Sequence, residues 1–243
     1  MSSVAAIPAS LLRLRKIIRE RKPDVIQTWL YHADLLGLLA ARWAGGVPVA
    51  WNIRCGFPAP GETSWLTRQM AHLLSRLSAI PAVIIFNSQA GLLSHQAAGY
   101  RPNNLKVIPN GFELDIWKPV PDVRMKMRSE LGIEESEFLV GMVGRYHPVK
   151  NHRLFFKAAA RVRSQIEKVR FLLVGEGISW DNIKLVNTID EFGLSDCVIL
   201  RESSSDLPRL LQALDCHALT STSEGFPNAV SYTHLTLPTK RIV

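Results

Sequence analysis

Short apolar runs alternate with amphipathic stretches along most of this chain, and that rhythm restricts the fold more than any other feature. Strands are expected at Val25–Thr28, Val47–Trp51, Ala82–Phe86, Leu105–Ile108, Phe138–Val143, Val169–Val174, Cys197–Leu200 and His217–Thr220. Between and around them, helices are expected at Leu11–Arg21, Asp34–Trp43, Ser64–Leu77, Ala90–Ala98, Val123–Leu131, His152–Ile166, Asp181–Phe192 and Ser205–Leu214. Strands joined by helices of this length form βαβ units and parallel sheets. The apolar runs are near-continuous rather than alternating, as strands covered on both faces require. The fold class is α/β, with doubly wound parallel sheets.

One stretch breaks the rhythm. Pro109–Asp122 (PNGFELDIWKPVPD) is rich in turn formers and reads as a linker. It divides the chain into a first domain over residues 1–120 and a second over 121–230, with 231–243 set apart as a tail. In open α/β sheets, ligands bind beyond the carboxyl ends of the strands, so the loops that follow strands are the places to look for chemistry.

Composition narrows the partners. A formal net charge of +8 favours anions such as nucleotides and phospholipid head groups. Without a dense basic block carrying interleaved aromatics, nucleic acid is not the expected partner. Cys55, Cys197 and Cys216 are widely spaced and odd in number, which argues against a disulfide framework. Cys197 and Cys216 sit in apolar runs and are expected to be buried. The expected compartment is a reducing cytoplasm. The opening residues lack a signal-peptide pattern, and no run is long and apolar enough to span a bilayer. The basic amphipathic segment Leu11–Arg21 suits a peripheral contact with an anionic membrane. It equally suits an ordinary surface helix with Leu11, Leu14 and Ile18 packed inward.

Four loops carry candidate chemistry. In GMVGRYHPVKNH (Gly141–His152), a strand ends at Gly144, Arg145 and Lys150 follow, and Asn151 suits the N-cap of the next helix. Two cations at a helix start suit a phosphate or diphosphate. The loop is not a Walker A motif, because Val149 stands where the glycine before the lysine is required. In STSEGFPNAV (Ser221–Val230), Glu224 is expected at the carboxyl end of a strand, where a carboxylate can accept hydrogen bonds from sugar hydroxyls. Gly225 after it lets backbone N–H groups approach a ligand. His32 and Arg54 each follow a first-domain strand. The glycines of VGEG (Val174–Gly177) read as a tight turn, since Trp180 occupies the third position of a dinucleotide pattern.

Taken in order, the segments PDVIQTWLYHADLLG, VIPNGFELDIWKP, GMVGRYHPVKNH, LLVGEG, SSDLPRLLQALD and SEGFPN resemble those of the family 4 glycosyltransferases across nearly the whole chain. The resemblance implies a GT-B fold, two Rossmann-like domains facing a cleft, and a retaining hexosyl transfer from a nucleotide-sugar to a glycan or lipid-linked acceptor. The first domain would handle the acceptor and the second the donor, UDP- or GDP-linked, with no bound metal and no other cofactor. By the same resemblance, Arg145 and Lys150 hold the donor diphosphate beside Gly144, and Glu224 touches the transferred sugar. Gly225, Phe226, Pro227 and Asn228 help Glu224 there, and His32 reaches the sugar near the reacting carbon.

The sequence also departs from the family. A second glutamate usually follows the first by eight positions and holds the ribose, but Tyr232 stands there. Ser231–Val243 (SYTHLTLPTKRIV) does not resemble the family and reads as a translated cloning scar. Such enzymes also begin with further βα units before the strand matching Val25–Thr28, so both domains are expected to be truncated. Two other readings stay open. A different GT-B activity, epimerase or phosphorylase, would in the epimerase case release free sugar without an acceptor. A non-catalytic binding fragment would turn over no nucleotide-sugar.

Overall fold

The structure, a computed structural model, describes residues 6–61, 63–101, 104–120, 122–202 and 206–224. The chain resolves into two compact units; the first comprises residues 1–110 and also takes in Glu224, and the second begins at Gly111. Tyr232 and the tail 231–243 lie outside the described residues.

The first unit contains α1 (Ala6–Arg21), β1 (Ile26–Trp29), α2 (Tyr31–Ala44), β2 (Val49–Ile53), α3 (Trp65–Leu77), β3 (Val83–Phe86), α4 (Gln89–Ala97) and β4 (Leu105–Val107). Its four strands are parallel and lie in sequence order, β1-β2-β3-β4. Thr28, Trp51, Ile84 and Leu105 form one row across the sheet. Trp51, Ile84, Phe86 and Leu74 are fully buried, which accounts for the unbroken apolar runs. A Cβ on Gly37 of α2 would lie 2.5 Å from Thr28 Cγ2, so this helix packs directly on the first strand.

Of the three α1 residues expected to face inward, only Ile18 is buried; Leu14 is 36% exposed, and Arg15 stacks 4.6 Å over the Trp43 ring. The stem of Arg15 and the Trp43 indole thus share the seam to α2 with Ile18. Charge is divided unevenly along the chain. Residues 1–110 hold twelve Lys and Arg against four Asp and Glu, whereas residues 111–243 hold seventeen of each sign. The whole excess of +8 therefore lies within residues 1–110.

The second unit contains α5 (Val123–Glu130), β5 (Phe138–Val143), α6 (His152–Arg163), β6 (Val169–Val174), α7 (Ile183–Glu191), β7 (Val198–Arg201), α8 (Leu207–Ala213) and β8 (Cys216–His217). Its parallel sheet has the order β7-β6-β5-β8. Along β6 the side chains alternate between two cores. Phe171 and Leu173 join Phe155, Phe156 and Leu185 on one face. Leu172 and Val174 join Met127, Leu139 and Leu211 on the other. Both faces are covered by helices, as the apolar run at β6 requires.

Asp215, the last residue of the SSDLPRLLQALD segment, is a structural anchor. Its carboxylate accepts from the Leu139 backbone N–H at 2.7 Å and from Arg124 and Arg128 at 2.5 and 3.1 Å. Buried Arg128 also donates to the carbonyls of Ala213, Glu134 and Glu137, so α5 is clamped to the start of β5 and to the end of α8.

The last strand differs from expectation. It spans Cys216–His217 rather than His217–Thr220. Beyond Ala218 the backbone leaves the ladder, and the Thr220 hydroxyl turns to the carbonyls of Lys150 and Asn151. Cys216 is exposed rather than buried, on β8, which is the outer strand of its sheet among the described residues; Cys197 is buried as expected, and all three thiols are free.

Candidate functional site

The loop after β5 is held almost entirely by main-chain bonds to its neighbours. Gly144 N–H donates to Val174 O at 2.9 Å, Tyr146 N–H to Glu176 O at 2.8 Å, and Gly175 N–H to Arg201 O at 3.0 Å. The loops after β5, β6 and β7 are thereby laced together at the carboxyl edge of the sheet. The approach is tight enough to need glycine: a Cβ on Gly175 would lie 2.3 Å from Gly144 O and 2.9 Å from Arg145 N. Gly175 and Gly177 form the turn expected of VGEG.

Past Tyr146 the chain makes a single 3-10 turn, Pro148–Lys150, and enters α6 through Asn151. Asn151 is left-handed at φ 52°, and its side chain accepts from Leu154 N–H, the N-cap expected from the sequence. The Lys150 stem lies 3.2–3.4 Å from where a Cβ on Gly144 would be, so the lysine folds back over that glycine. Arg145 is exposed, and its loop borders a pocket of 260 Å³ formed with Gly144, Val174, Gly175 and Glu176. Lys150 thus stands at the N-terminus of a 12-residue helix, a place suited to an anion, with exposed Arg145 next to Gly144 in the chain.

The segment before Glu224 is tied to the same loop, since Thr222 N–H donates to Val149 O at 2.9 Å. Glu224 is half-buried and lies seven residues past the end of β8, not at the strand end as expected. Gly225, Phe226, Pro227 and Asn228 lie outside the described residues. His32 and Arg54 belong to the first unit. His32 is exposed in the first turn of α2 rather than in a loop, and exposed Arg54 donates to Asn110 Oδ1.

Two polar groupings were not anticipated from the sequence. The first lies beneath the Lys150 loop. His152 opens α6 with only 5% exposure, and His217 pairs with Gly141 in β8. Burial, and then the charge of Lys150, push both imidazoles down to about 4. Both Nε2 atoms, and Ser221 Oγ nearby in sequence, are buried without a hydrogen-bond partner. A histidine directly after an N-cap asparagine and another inside an apolar run were the signals available.

The second grouping is in the first unit. Tyr31 OH lies 2.8 Å from His95 Nε2, whose Nδ1 lies 2.7 Å from Gly91 O. The carbonyl can only accept, so Nδ1 carries the proton and Tyr31 donates to Nε2. The Thr28 hydroxyl donates to fully buried Asp34 at 2.5 Å. Burial raises the Asp34 carboxyl to about 7 and lowers His95 to about 4.

Comparison with known proteins bears on both units. Residues 2–116 match the family described as Glycosyltransferase Family 4, and residues 123–231 match Glycosyl transferases group 1. The chain belongs to the family 4 glycosyltransferases. An Escherichia coli relative, UDP-Gal:alpha-D-GlcNAc-diphosphoundecaprenol alpha-1,3-galactosyltransferase, is 28% identical over 91% of this chain and 58% of its own length. The D-inositol 3-phosphate glycosyltransferase of Segniliparus rotundus is 32% identical over 57% of this chain and 31% of its own. HepE from Anabaena, solved in complex with UDP-glucose, superposes with a TM-score of 0.79 at 27% identity, covering 93% of this chain and 60% of HepE. This family 4 chain therefore spans about three-fifths of the length of those two longer matches. The two parallel sheets are those of the GT-B class. Among the described residues, no helix is long and apolar enough to cross a membrane.

Proposed function

We propose that this chain carries the donor site of a retaining hexosyltransferase, which moves a hexosyl group from a UDP-linked sugar to a glycan or lipid-linked acceptor. The observation that carries the reading is the Lys150 loop, with the lysine folded over Gly144 just before α6 and exposed Arg145 directly after that glycine. HepE, solved with UDP-glucose, and the galactosyltransferase from E. coli support a UDP-sugar as the donor.

In this reading the donor diphosphate lies against Gly144, Arg145 and Lys150. As the bond from the anomeric carbon to the diphosphate breaks, negative charge grows on the leaving oxygens, and the two cations stabilise it. They supply that charge without a bound metal. Glu224 holds hydroxyls of the transferred sugar, with Gly225, Phe226, Pro227 and Asn228 beside it. The work is done in the cytoplasm. The excess charge of the first unit, with basic α1 and its exposed Leu12 and Ile17, provides a peripheral contact with anionic lipid.

Calorimetric titration of the chain with UDP-glucose, UDP-galactose and GDP-mannose tests the donor site. A UDP-sugar should bind at pH 7.5 and GDP-mannose should not. Binding of none of the three refutes the donor site, and preference for GDP-mannose refutes the base. Flotation with anionic liposomes at low salt tests the membrane contact, and a chain that stays at the bottom of the gradient lacks it.

A further inference from the structure

The Lys150 loop rests on a polar floor that phosphate binding alone does not call for. His152 lies on the helix side of that loop, two residues from Lys150, with its ring centroid 5.3 Å from that of Tyr146. His217 lies on the sheet side, in β8 next to Gly141 of β5. Three residues further on, the Thr220 hydroxyl bonds the Lys150 carbonyl at 3.0 Å. Each imidazole presents a buried Nε2 without a partner. Lys150 is the charged group acting on both rings, and Tyr146 is the titratable neighbour in ring contact with His152.

We propose that His152 and His217 form a proton-linked floor to the donor site, taking up protons when the diphosphate of a nucleotide-sugar binds above them. This rests on the donor-site reading. The physical basis is reciprocity: whatever lowers the cost of a second positive charge beside Lys150 raises the proton affinity of both rings. A bound diphosphate neutralises Lys150 and adds negative charge within a few ångströms. By linkage, the same protons tighten diphosphate binding as the pH falls. At neutral pH both rings are uncharged and act only as packing and polar support.

The magnitude follows from the free-state values of about 4. An opposite charge at close range moves a titrating group by roughly 1–3 units, so about 1.5 units brings each ring to half protonation near pH 5.5. Binding at that pH should then take up about one proton in all and be about four-fold tighter than at pH 7.5, two-fold from each ring.

The test is calorimetry of the intact chain with UDP-glucose, whose diphosphate does not itself titrate in this range. Titrations at pH 5.5 are run in two buffers of different protonation enthalpy, and at pH 7.5 as reference. The inference predicts uptake of about one proton at pH 5.5 and none at pH 7.5. His152→Gln and His217→Gln should each remove about half of the uptake, and the double variant all of it. Histidine Cε1–H resonances of the wild-type chain, followed from pH 4 to 7 with and without UDP-glucose, give the same answer without a variant that must fold. Binding without proton uptake overturns the inference and leaves the donor site standing, as does uptake that persists in H152Q/H217Q. Absence of UDP-sugar binding at pH 7.5 overturns the donor site, and the inference with it.

Discussion

Replacing Gly175 with alanine tests whether the three loops at the carboxyl edge of the second sheet are as tightly laced as the geometry implies. The added Cβ would lie 2.3 Å from the Gly144 carbonyl oxygen, 2.5 Å from its carbon and 2.9 Å from Arg145 N. All three are backbone atoms, so no side chain can swing aside, and the loops must part by roughly 1 Å to reach ordinary contact distance. Overpacking of this kind costs about 1–3 kcal/mol. The separation also stretches the bonds from Gly144 N–H to Val174 O and from Tyr146 N–H to Glu176 O, at about 1 kcal/mol for each one lost. Gly175→Ala should therefore destabilise the second unit by about 2–4 kcal/mol. Gly193→Ala is the control: that glycine has φ 65° with nothing within 4 Å, so it bears only left-handed backbone strain, about 1 kcal/mol. Urea midpoints followed by circular dichroism separate the two, and UDP-sugar titration at low urea reads the accompanying displacement of Arg145. If Gly175→Ala unfolds at the same midpoint as Gly193→Ala, the loops yield freely and the reasoning fails.

Other perturbations address different parts of the molecule. Lys150→Ala removes a charge-assisted contact worth about 1.5–3 kcal/mol, so UDP-sugar affinity should fall by roughly ten-fold to a hundred-fold; unchanged affinity removes Lys150 from the site. Glu224→Ala in a full-length enzyme should slow turnover while leaving UDP affinity close to wild type, and loss of UDP affinity alone would assign it a different role. Asp215→Ala strands buried Arg128 and the Leu139 N–H, and a thermal transition lowered by less than the equivalent of about 3 kcal/mol would contradict its anchoring role. Asp34 and His95 give opposite pH slopes. Asp34, raised from 3.8 to about 7, contributes stability below pH 4 that is lost as the pH rises towards 7. His95, lowered from 6.5 to about 4, contributes stability above pH 6.5 that is lost as the pH falls towards 4. The two slopes cancel between pH 4.5 and 6.5, and His152 and His217, also lowered to about 4, leave the wild-type urea midpoint rising with pH across that window. Asp34→Asn should rise more steeply with pH across that window; a variant whose difference from wild type does not change with pH refutes the buried titration.

The strands were legible because parallel strands covered on both faces leave a simple trace in the sequence. Phe138–Val143 and Val169–Val174 have the ends the apolar runs suggested. The strand at Cys216–His217 was not, because Ala218–Thr220 continues the apolar and β-branched pattern while Thr220 is drawn off by two carbonyls on a distant loop. A hydroxyl's long-range partner leaves no local signal. The Lys150 loop was legible for the opposite reason, since glycine, cations and an N-cap asparagine act within ten residues of one another. Tyr31 and His95 stand on two helices 64 residues apart, so only the packed structure reveals their bond, and it alone pairs buried Asp34 with Thr28. Histidines 152 and 217 are separated by most of the second unit, and nothing short of the β5–β8 pairing joins them to one lysine.

The lacing of the Lys150 loop through main-chain atoms has an evolutionary consequence. Gly144, Tyr146 and Val149 are fixed through their N–H or carbonyl groups, bonded to Val174, Glu176 and Thr222. Side-chain identity at residues 146 and 149 therefore does not set the path of the loop. Selection can exchange those residues while the backbone that carries Arg145 and Lys150 keeps its path. A scaffold of this kind diversifies its substrates by drift at a few loop positions, and its descendants keep a shared backbone long after their sequences have diverged.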